Sequence, residues 1–315
     1  MKVEPLFDFY SFARRGAERR VDLSAADLAT IKRITSRAPE VMVKVLSRGA
    51  VSIKAVRKHV EYVSRAGEVN VESDSGEAVR GDIEDHLSDW DLDVEEMRPV
   101  SALQARSRPP ARLIHKIIFS MPAGTLPAKV LQGARNFARE EFALKHRYLL
   151  ALHTDEPHPH VHLVIKAMSE QGRRMHIRKA TIRDWRESFA KHLRLLGVSA
   201  NATRRYVRGE AGYRTSDGIY RANLRGESTC MRERSEASEM GASKRDSPNK
   251  REQVASVAQR VAVVGVWSAI SSILIREGQT ELAAQIRRFV DEMPSTSGKT
   301  ASQDRARRLD RTRAF

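Results

Sequence analysis

The chain has 315 residues, and its 56 lysines and arginines outnumber its 40 aspartates and glutamates, which gives a formal net charge of +16. A surplus of this size favours a polyanionic partner such as nucleic acid. A single cysteine, Cys230, excludes an intramolecular disulfide framework and suits a reducing compartment. The N-terminal segment MKVEPLFDFYSFARRG contains acidic residues and lacks the apolar core of a signal peptide, which argues against export by the general secretory route.

The first half of the chain carries short helical and extended patterns separated by turn residues. In order, they predict a helix at 22–33, a strand at 41–46, a helix at 52–65 and a hairpin at 67–82. In the second helix, Val56, Val60 and Val63 recur at helical spacing and mark its buried stripe.

The second half continues with longer elements. They are predicted as strands at 113–120, 148–153, 160–166 and 173–177, and as helices at 127–144 and 181–196. The last of these helices would bury Trp185, Phe189, Leu193 and Leu196. Antiparallel hairpins mixed with helices indicate an α+β domain, which we expect to span 1–225.

The C-terminal part has a different composition. Residues 226–252 are rich in serine and charged side chains and predict a polar linker. A helical hairpin turning at Gly278 is predicted at 253–292, followed by a basic tail at 293–315. The apolar run 261–275 is interrupted by serines and is too short for a membrane span, so it predicts a helix buried in protein.

Four of the ten histidines fall within residues 153–162, which read HTDEPHPHVH. In a strand that begins at His160, alternate side chains share a face, so His160 and His162 project side by side. The Asp/Pro turn would fold the two flanking strands into a hairpin and bring His153 to this pair. Three neutral imidazoles from adjacent strands predict a catalytic type of divalent-metal site, with coordination positions left open. His158 lies between two prolines in the turn, which limits its reach, so His153 is the preferred third ligand. The alternative is a set of surface histidines at a hairpin turn.

Tyr62 lies on the predicted helix at 52–65, about 160° from Val60 on the helical wheel. It is therefore not a core residue of that helix, and it shares a face with Lys58 and Arg65. Nearby cations favour the phenolate form, which a nucleophilic tyrosine requires. The alternative is an ordinary half-exposed tyrosine.

Arginines are concentrated directly after the strand predicted at 160–166. This concentration predicts a basic wall beside the histidines for DNA, with Arg173, Arg174 and Arg178 as leading contacts and Lys58 and Arg65 as further ones. The alternative for about half of the wall is a solvated helix face. The wall comprises Arg173, Arg174, Arg178, Arg183, Arg186, Arg194, Arg204, Arg205, Arg208 and Arg214.

Three segments of the chain resemble, in order and separation, the motifs of the conjugative relaxases, or mobilisation nucleases. They are HVEYVSRAG (59–67), IIFSMPAGT (117–125) and HTDEPHPHVHLVI (153–165). The branch that contains the T-DNA border endonuclease is the most similar, and the resemblance covers about residues 40–210. The chain departs from the family at Pro157, where an acidic residue is common, and at Lys166, where a polar residue similar to asparagine is common.

The resemblance implies roles for six residues. Tyr62 would attack a DNA phosphate, and Ser120 would help to hold the DNA near the scissile bond. His153, His160 and His162 would bind a divalent ion, with magnesium or manganese expected. Asp155 would orient one of these histidines, which is a common function of residues beside metal ligands. The implied fold is a palm-like, five-stranded antiparallel sheet with flanking helices.

The implied function is the nicking of one DNA strand at an origin of transfer, through a 5′-phosphotyrosine intermediate, in conjugative mobilisation of DNA. The implied partners are single-stranded origin DNA, relaxosome accessory proteins and the coupling protein of a type IV secretion channel. The implied location is the bacterial cytoplasm, with export of the DNA-linked protein through the channel. No membrane span is expected.

Three other functions are compatible with parts of the pattern. In rolling-circle initiators and single-strand transposases the tyrosine usually follows the histidines, whereas Tyr62 precedes them by about 90 residues. A hydrolytic metal-dependent nuclease would form no covalent adduct with DNA. A non-catalytic DNA-binding protein is disfavoured because all three motifs are present.

Overall fold

The computed structural model describes residues 23–46, 50–79, 83–97, 111–209 and 250–293, with the separate positions 222, 225, 226 and 229. The predicted linker and the predicted basic tail lie almost entirely outside these residues. The chain divides into two compact units, one comprising Ala38–Ala202 and the other Met1–Arg37 with Thr203–Phe315.

The unit Ala38–Ala202 is built on a five-stranded antiparallel sheet. The strand order is β1-β3-β5-β4-β2, so that β5 lies at the centre and β1 and β2 form the edges. The strands are β1 (Met42–Val45), β2 (Val71–Ser73), β3 (Ile114–Ser120), β4 (Tyr148–His153) and β5 (His160–Lys166). Together with its flanking helices, this sheet confirms the predicted α+β class.

The helices follow the periodic patterns closely. In chain order they are α1 (Ala25–Thr35), α2 (Ile53–Ser64), α3 (Ile83–Ser88), α4 (Leu92–Glu96), α5 (Pro127–Phe142), α6 (Lys179–Leu195), α7 (Lys250–Arg276) and α8 (Thr280–Asp291), with a 3-10 helix at Arg205–Arg208. The start of α2 is fixed by Ser52, whose side chain accepts a hydrogen bond from the amide of Ala55. The predicted buried stripe of Val56, Val60 and Val63 is confirmed.

The two faces of the sheet are covered differently. On one face, α5 and α6 pack over the sheet through an aromatic core, in which the rings of Phe119 and Phe189 have centroids 5.0 Å apart. Gly133 on α5 permits the close approach of α6, because a Cβ there would lie 2.8 Å from Leu193. On the other face, α2 packs with Trp90 over Val164 and the strands beyond it.

Two predictions about this unit differ from the structure. Residues 173–177 do not form a strand. After the turn at Gly172 the chain pairs with the preceding segment at a single isolated β-bridge, between Met168 and Arg174. The fifth strand is instead β2, within the predicted hairpin at 67–82. The short helices α3 and α4 were not predicted, since each is less than two turns long and carries little periodic signal.

The other compact unit contains α1, the 3-10 helix, α7 and α8 around one apolar core. Ile31 and Val207 join this core, and the indole N–H of Trp267 donates a hydrogen bond to the carbonyl of Val207. The sequence analysis assigned α1 and the 3-10 helix to a domain at 1–225. In the structure, the apolar side chains of both elements pack with the C-terminal helices α7 and α8. Among the described residues, the segment Val257–Arg276 of α7 is long and apolar enough to cross a membrane. Core helices of soluble proteins have the same length and composition, so this property does not by itself indicate a membrane span. The functional limits of the predicted domains stay a prediction.

Candidate metal centre and nucleophile

The hairpin of β4 and β5 brings three imidazoles together at one end of the sheet. His153 lies directly opposite His160 in the strand register, and His162 follows on the same face. The ring centroids of His153 and His162 are 4.4 Å apart, and one ligand atom from each of the three residues lies within 4.8 Å of the others. We call His153, His160 and His162 the histidine triad.

Hydrogen bonds to backbone carbonyls orient two of these rings. Nε2 of His153 lies 2.7 Å from the carbonyl oxygen of Val63, which can only accept, so this nitrogen carries the proton. Nδ1 of His153 is then an unprotonated lone pair; it is buried and has no hydrogen-bond partner in the described part of the chain. Nδ1 of His160 donates to the carbonyl of His158 at 3.1 Å, which leaves Nε2 as the lone pair. An orphaned buried lone pair beside two other imidazoles fits a divalent metal ion.

Burial keeps two of the three imidazoles, His153 and His162, in the form that binds metal. Burial lowers the pKa of His162 to about 3, with the neighbouring His153 and His160 contributing to the shift. Burial also lowers the pKa of His153. Both rings are therefore neutral near pH 7, and the neutral imidazole is the form that binds metal.

His158 belongs to a different arrangement. Its Nδ1 accepts a hydrogen bond from the backbone amide of Ala123 at 2.9 Å, so the ring fastens the turn before β5 to the loop after β3. The structure therefore groups His153, and not His158, with His160 and His162.

Helix α2 places Tyr62 beside the triad. The ring centroid of Tyr62 is 6.0 Å from that of His162 and 6.4 Å from that of His153. Because the valine stripe of α2 faces the core, Tyr62 is turned outward and is 53% exposed. The guanidinium of Arg65 lies 5.2 Å from its ring centroid, whereas Lys58 is exposed on the same helix.

The turn after α2 has an unusual backbone. Arg65, Ala66 and Gly67 have φ values of 52°, 53° and 94°, so that two non-glycine residues adopt the left-handed region in succession. This conformation ends α2 within one turn of Tyr62 and directs the Arg65 side chain to the carboxylate of Asp155, at 2.5 Å.

The side chain of Asp155 contacts Arg65 and not, as expected, a histidine of the triad. The resemblance implied that its carboxylate orients a histidine, but here it meets the Arg65 guanidinium, and the carbonyl of Val63 orients His153. The physical reason is that Asp155 lies in the exposed turn beyond β4, where Arg65 is the adjacent cation. Its role in the site stays a prediction.

Ser120 ends β3 directly opposite His160, on the triad face of the sheet. It is buried, and its hydroxyl makes a long hydrogen bond of 3.4 Å to the carbonyl of Met121. The strand register thus brings the second motif to the triad, and the role of Ser120 in holding DNA stays a prediction.

At least one of the arginines that were expected to form a wall beside the triad, Arg174, lies at the other end of the sheet. Arg174 bridges to Met168, which lies past the far end of β5 and eight residues from His160, up to roughly 26 Å at about 3.3 Å per strand residue. It forms an ion pair with Glu95 at 2.7 Å. Arg173 precedes it in the same turn, and Arg178 is exposed just before α6. Their contact with DNA stays a prediction, but Arg174 does not lie next to the triad.

Sequence reasoning missed three residues near Tyr62. His59 is 9% exposed, and its ring is nearly parallel to that of Tyr62. Burial, followed by the charge of Lys116, lowers the pKa of His59 to about 4. Lys44 and Lys116 lie on β1 and β3 on the triad face. Strand alternation carries a signal for these lysines, but only the register relates them to the triad.

Comparison with known proteins agrees with this arrangement. Residues 62–195 match the family model described as the MobA/VirD2-like relaxase nuclease domain. This part of the chain is similar to that nuclease domain. The matched region begins at Tyr62 and ends at the last residue of α6.

Two individual proteins are also similar to the chain. The T-DNA border endonuclease VirD2 of Rhizobium rhizogenes is 26% identical over 136 residues, which are 40% of this chain and 30% of that protein. The chain thus matches less than a third of that relative's length. A solved structure described as the molecular basis of vancomycin resistance transfer in Staphylococcus aureus aligns with 56% of this chain and 91% of its own, at 16% identity and a TM-score of 0.28.

Proposed function

We propose that the protein nicks one strand of DNA at an origin of transfer by transesterification, with Tyr62 as the nucleophile. The observation that carries the proposal is the position of the Tyr62 ring, exposed to solvent and about 6 Å from two imidazoles of the histidine triad. A phosphodiester placed between the phenol and the triad would be in contact with both.

The reaction exchanges one phosphodiester bond for another. The Tyr62 oxygen loses its proton and forms a bond to the scissile phosphorus, while the bond from phosphorus to the 3′ oxygen breaks. The leaving oxygen takes up a proton and becomes a 3′ hydroxyl, and the 5′ phosphate stays attached to Tyr62. No water is consumed, so the product keeps a phosphodiester and the strand can be rejoined after it has moved.

The residues around Tyr62 support this step in distinct ways. The valine stripe fixes α2 and the direction of the phenol, and the Arg65 guanidinium supplies positive charge beside its ring. The triad would hold a divalent ion through one ring nitrogen of each histidine, since these atoms lie within 4.8 Å of one another. When bound, that ion supplies Lewis-acid stabilisation of charge on the phosphate oxygens.

The wider setting follows from the family and from the charge of the chain. The proposed substrate is single-stranded DNA at an origin of transfer, with relaxosome accessory proteins assisting local melting. The proposed location is the bacterial cytoplasm, and the linked protein would leave with the strand through a coupling protein and a type IV secretion channel. Basic residues of the tail, including Arg305, Arg307, Arg308 and Arg311, are proposed to assist recruitment.

The decisive experiment is a search for a denaturation-resistant protein–DNA adduct. Native protein, single-stranded candidate origin DNA and magnesium or manganese should yield the adduct, and chelator should prevent it. Tyr62→Phe should form none and still bind the strand, whereas the matched control Tyr206→Phe should react like the native protein. Cleavage without adduct would indicate a hydrolytic nuclease, and adduct at native yield in Tyr62→Phe would refute the assignment.

Recruitment by the tail requires a separate test in the whole chain. Deleting the C-terminal helices would remove the partners of Ile31 and Val207 from their shared core, so truncation would confuse folding with recruitment. Replacing Arg305, Arg307, Arg308 and Arg311 with glutamine should preserve cleavage in vitro and reduce transfer between cells. Equal transfer would remove the tail from the proposal.

A further inference from the structure

Part of the triad face of the sheet, at the edge strand β1 and the adjoining β3, is exposed or only partly buried. Helix α2 covers this face over β5, β4 and β2, where Val164, Leu149 and Val71 are buried in its core. Over β1 and β3 the coverage is incomplete, since Met42 is 47% exposed, Lys44 is exposed and Ile118 is only half-buried. We call Met42, Lys44, Lys116 and Ile118 the open strip.

The strand register connects the open strip to the triad. Lys44 is opposite Ile118 on β3, and Ile118 is opposite His162 on β5. Residues opposite one another in an antiparallel sheet project from the same face. The Cα atoms of Lys44 and His162 are therefore separated by two strand spacings, roughly 10 Å. Lys116 lies one row further on, and its charge acts on His59, which is three residues before Tyr62 on α2.

Neither lysine of the open strip has a carboxylate partner among the described residues, although ion pairs are common elsewhere in this unit. Lys116 is half-buried, and burial lowers the pKa of its amine. A partly desolvated cation without an anion is unfavourable. The two ammonium groups therefore complement an external anion on the surface that leads to Tyr62.

We propose that the open strip holds the backbone of single-stranded DNA next to the scissile phosphate, with Lys44 and Lys116 each contacting a phosphate. This inference rests on the proposed function, because it assigns the path of that function's substrate. A nucleic acid fits better than an acidic peptide because the strip continues, without an intervening strand, into the row of His162. Met42 and Ile118 offer apolar contact to bases but no aromatic ring for stacking, so the strip would grip the strand with little sequence preference.

The test measures how salt weakens binding of a fluorescein-labelled, mixed-sequence single-stranded oligonucleotide. It uses the whole chain carrying Tyr62→Phe, which prevents covalent capture. Each phosphate contact contributes about 0.7 to the slope of log affinity against log salt for single strands. Lys44→Met and Lys116→Met should each reduce the steepness by about that amount, and the double variant by about 1.4.

Matched variants exclude trivial explanations. Lys129→Met removes an exposed lysine on α5, on the other face of the sheet, and should leave the slope unchanged. Lys116→Arg keeps the charge and should retain the native slope, whereas the same loss in Lys116→Arg and Lys116→Met would indicate disturbed packing. Lys44 is exposed, so its replacement tests the strip without affecting the core.

Two results would overturn the inference: a native slope in both Lys44→Met and Lys116→Met, or a loss confined to Arg173→Met and Arg174→Met. The second result would place the strand at the opposite end of the sheet. The adduct assay with the native protein separates this inference from the proposed function. An adduct with lysine-independent binding refutes the strip alone, and lysine-dependent binding without adduct refutes the covalent step alone.

Discussion

The two ends of the central sheet are similar in composition but opposite in organisation. At the triad end, one ligand atom from each of three imidazoles lies within 4.8 Å of the others, and the nearby lysines of the open strip have no carboxylate partner among the described residues. At the far end, cations and histidines are also abundant, but the chain supplies their partners. These are Arg174 with Glu95, Lys166 with Glu170, Arg147 with Asp74, His146 with the Lys166 carbonyl and His115 with the Met175 carbonyl.

This difference shows which property distinguishes a functional cluster from a structural one in a basic protein. Burial lowers the pKa of His115 to about 4, a shift similar in size to those at the triad, so a perturbed histidine does not by itself mark the site. The distinguishing property is the clustering of possible ligand atoms. At the triad end one such atom from each of three imidazoles lies within 4.8 Å of the others, whereas at the far end the Nδ1 of His115, which is also buried without a hydrogen-bond partner, belongs to no such cluster among the described residues.

The largest effect is expected on metal binding. His160→Ala and His162→Ala should each weaken binding of manganese by at least about tenfold, because each removes one of three converging lone pairs. His115→Ala, at the far end, should leave the affinity unchanged. Isothermal titration calorimetry measures both, and equal losses at the two ends would remove the contrast between them.

The third ligand can be tested by the same measurement. His153→Ala should resemble the other two triad variants, because a ligand atom of His153 lies within 4.8 Å of those of His160 and His162. His158→Ala should have a smaller effect, since its Nδ1 is engaged by the Ala123 amide. A larger loss for His158→Ala than for His153→Ala would overturn the choice of ligand.

Both ends should make the metal-free protein sensitive to acid. The folded-state pKa values of His162 and His115 lie at about 3 and about 4, below the ordinary 6.5, so the unfolded chain binds more protons between these values. The free energy of unfolding should therefore fall as pH decreases from 6.5 towards 4, by up to about 1.4 kcal/mol per pH unit for each such histidine. Chemical denaturation across this range measures the slope. His115→Gln should reduce it, and an unchanged slope would contradict the assigned burial.

The two ion pairs should respond differently to the loss of their arginine. Arg174 and Glu95 are largely shielded from solvent, so Arg174→Met should lower the free energy of unfolding by about 1 to 2 kcal/mol. The Arg65 pair with Asp155 is more exposed, and Arg65→Met should cost less than about 1 kcal/mol. Arg65→Met should instead slow adduct formation, because positive charge beside Tyr62 is lost. Urea unfolding and the adduct rate together separate these outcomes.

The smallest effects concern backbone strain at the two ends. Ala66 has a φ of 53°, so Ala66→Gly should raise the free energy of unfolding by about 0.5 to 1 kcal/mol. Gly172 has a φ of 72° at the far end and open space around its Cα, so Gly172→Ala should lower it by a similar amount. A loss of stability in Ala66→Gly would show that the turn after Tyr62 is not strained.

The local elements of the unit Ala38–Ala202 were largely predictable because each is determined by near neighbours in the chain. Strand alternation identified β4 and β5 with the observed limits, and the valine stripe of α2 established that Tyr62 is outside the core. The predicted strand at 173–177 was wrong because a run of suitable residues forms a strand only if a partner edge is present. Helices α3 and α4 were missed because their stability comes from Trp90 and its contacts, not from periodicity.

The sequence by itself determined the fold class, the pair His160 and His162 on one strand face, and the outward position of Tyr62, since all three follow from the fixed periods of strand and helix. Only the tertiary structure decided the rest. It pairs Asp155 with Arg65, places Arg174 at the far end and places Lys44 and Lys116 on the triad face. Each of these depends on which strands pair and in which register, and that is set by burial of the two sheet faces across residues distant in the chain.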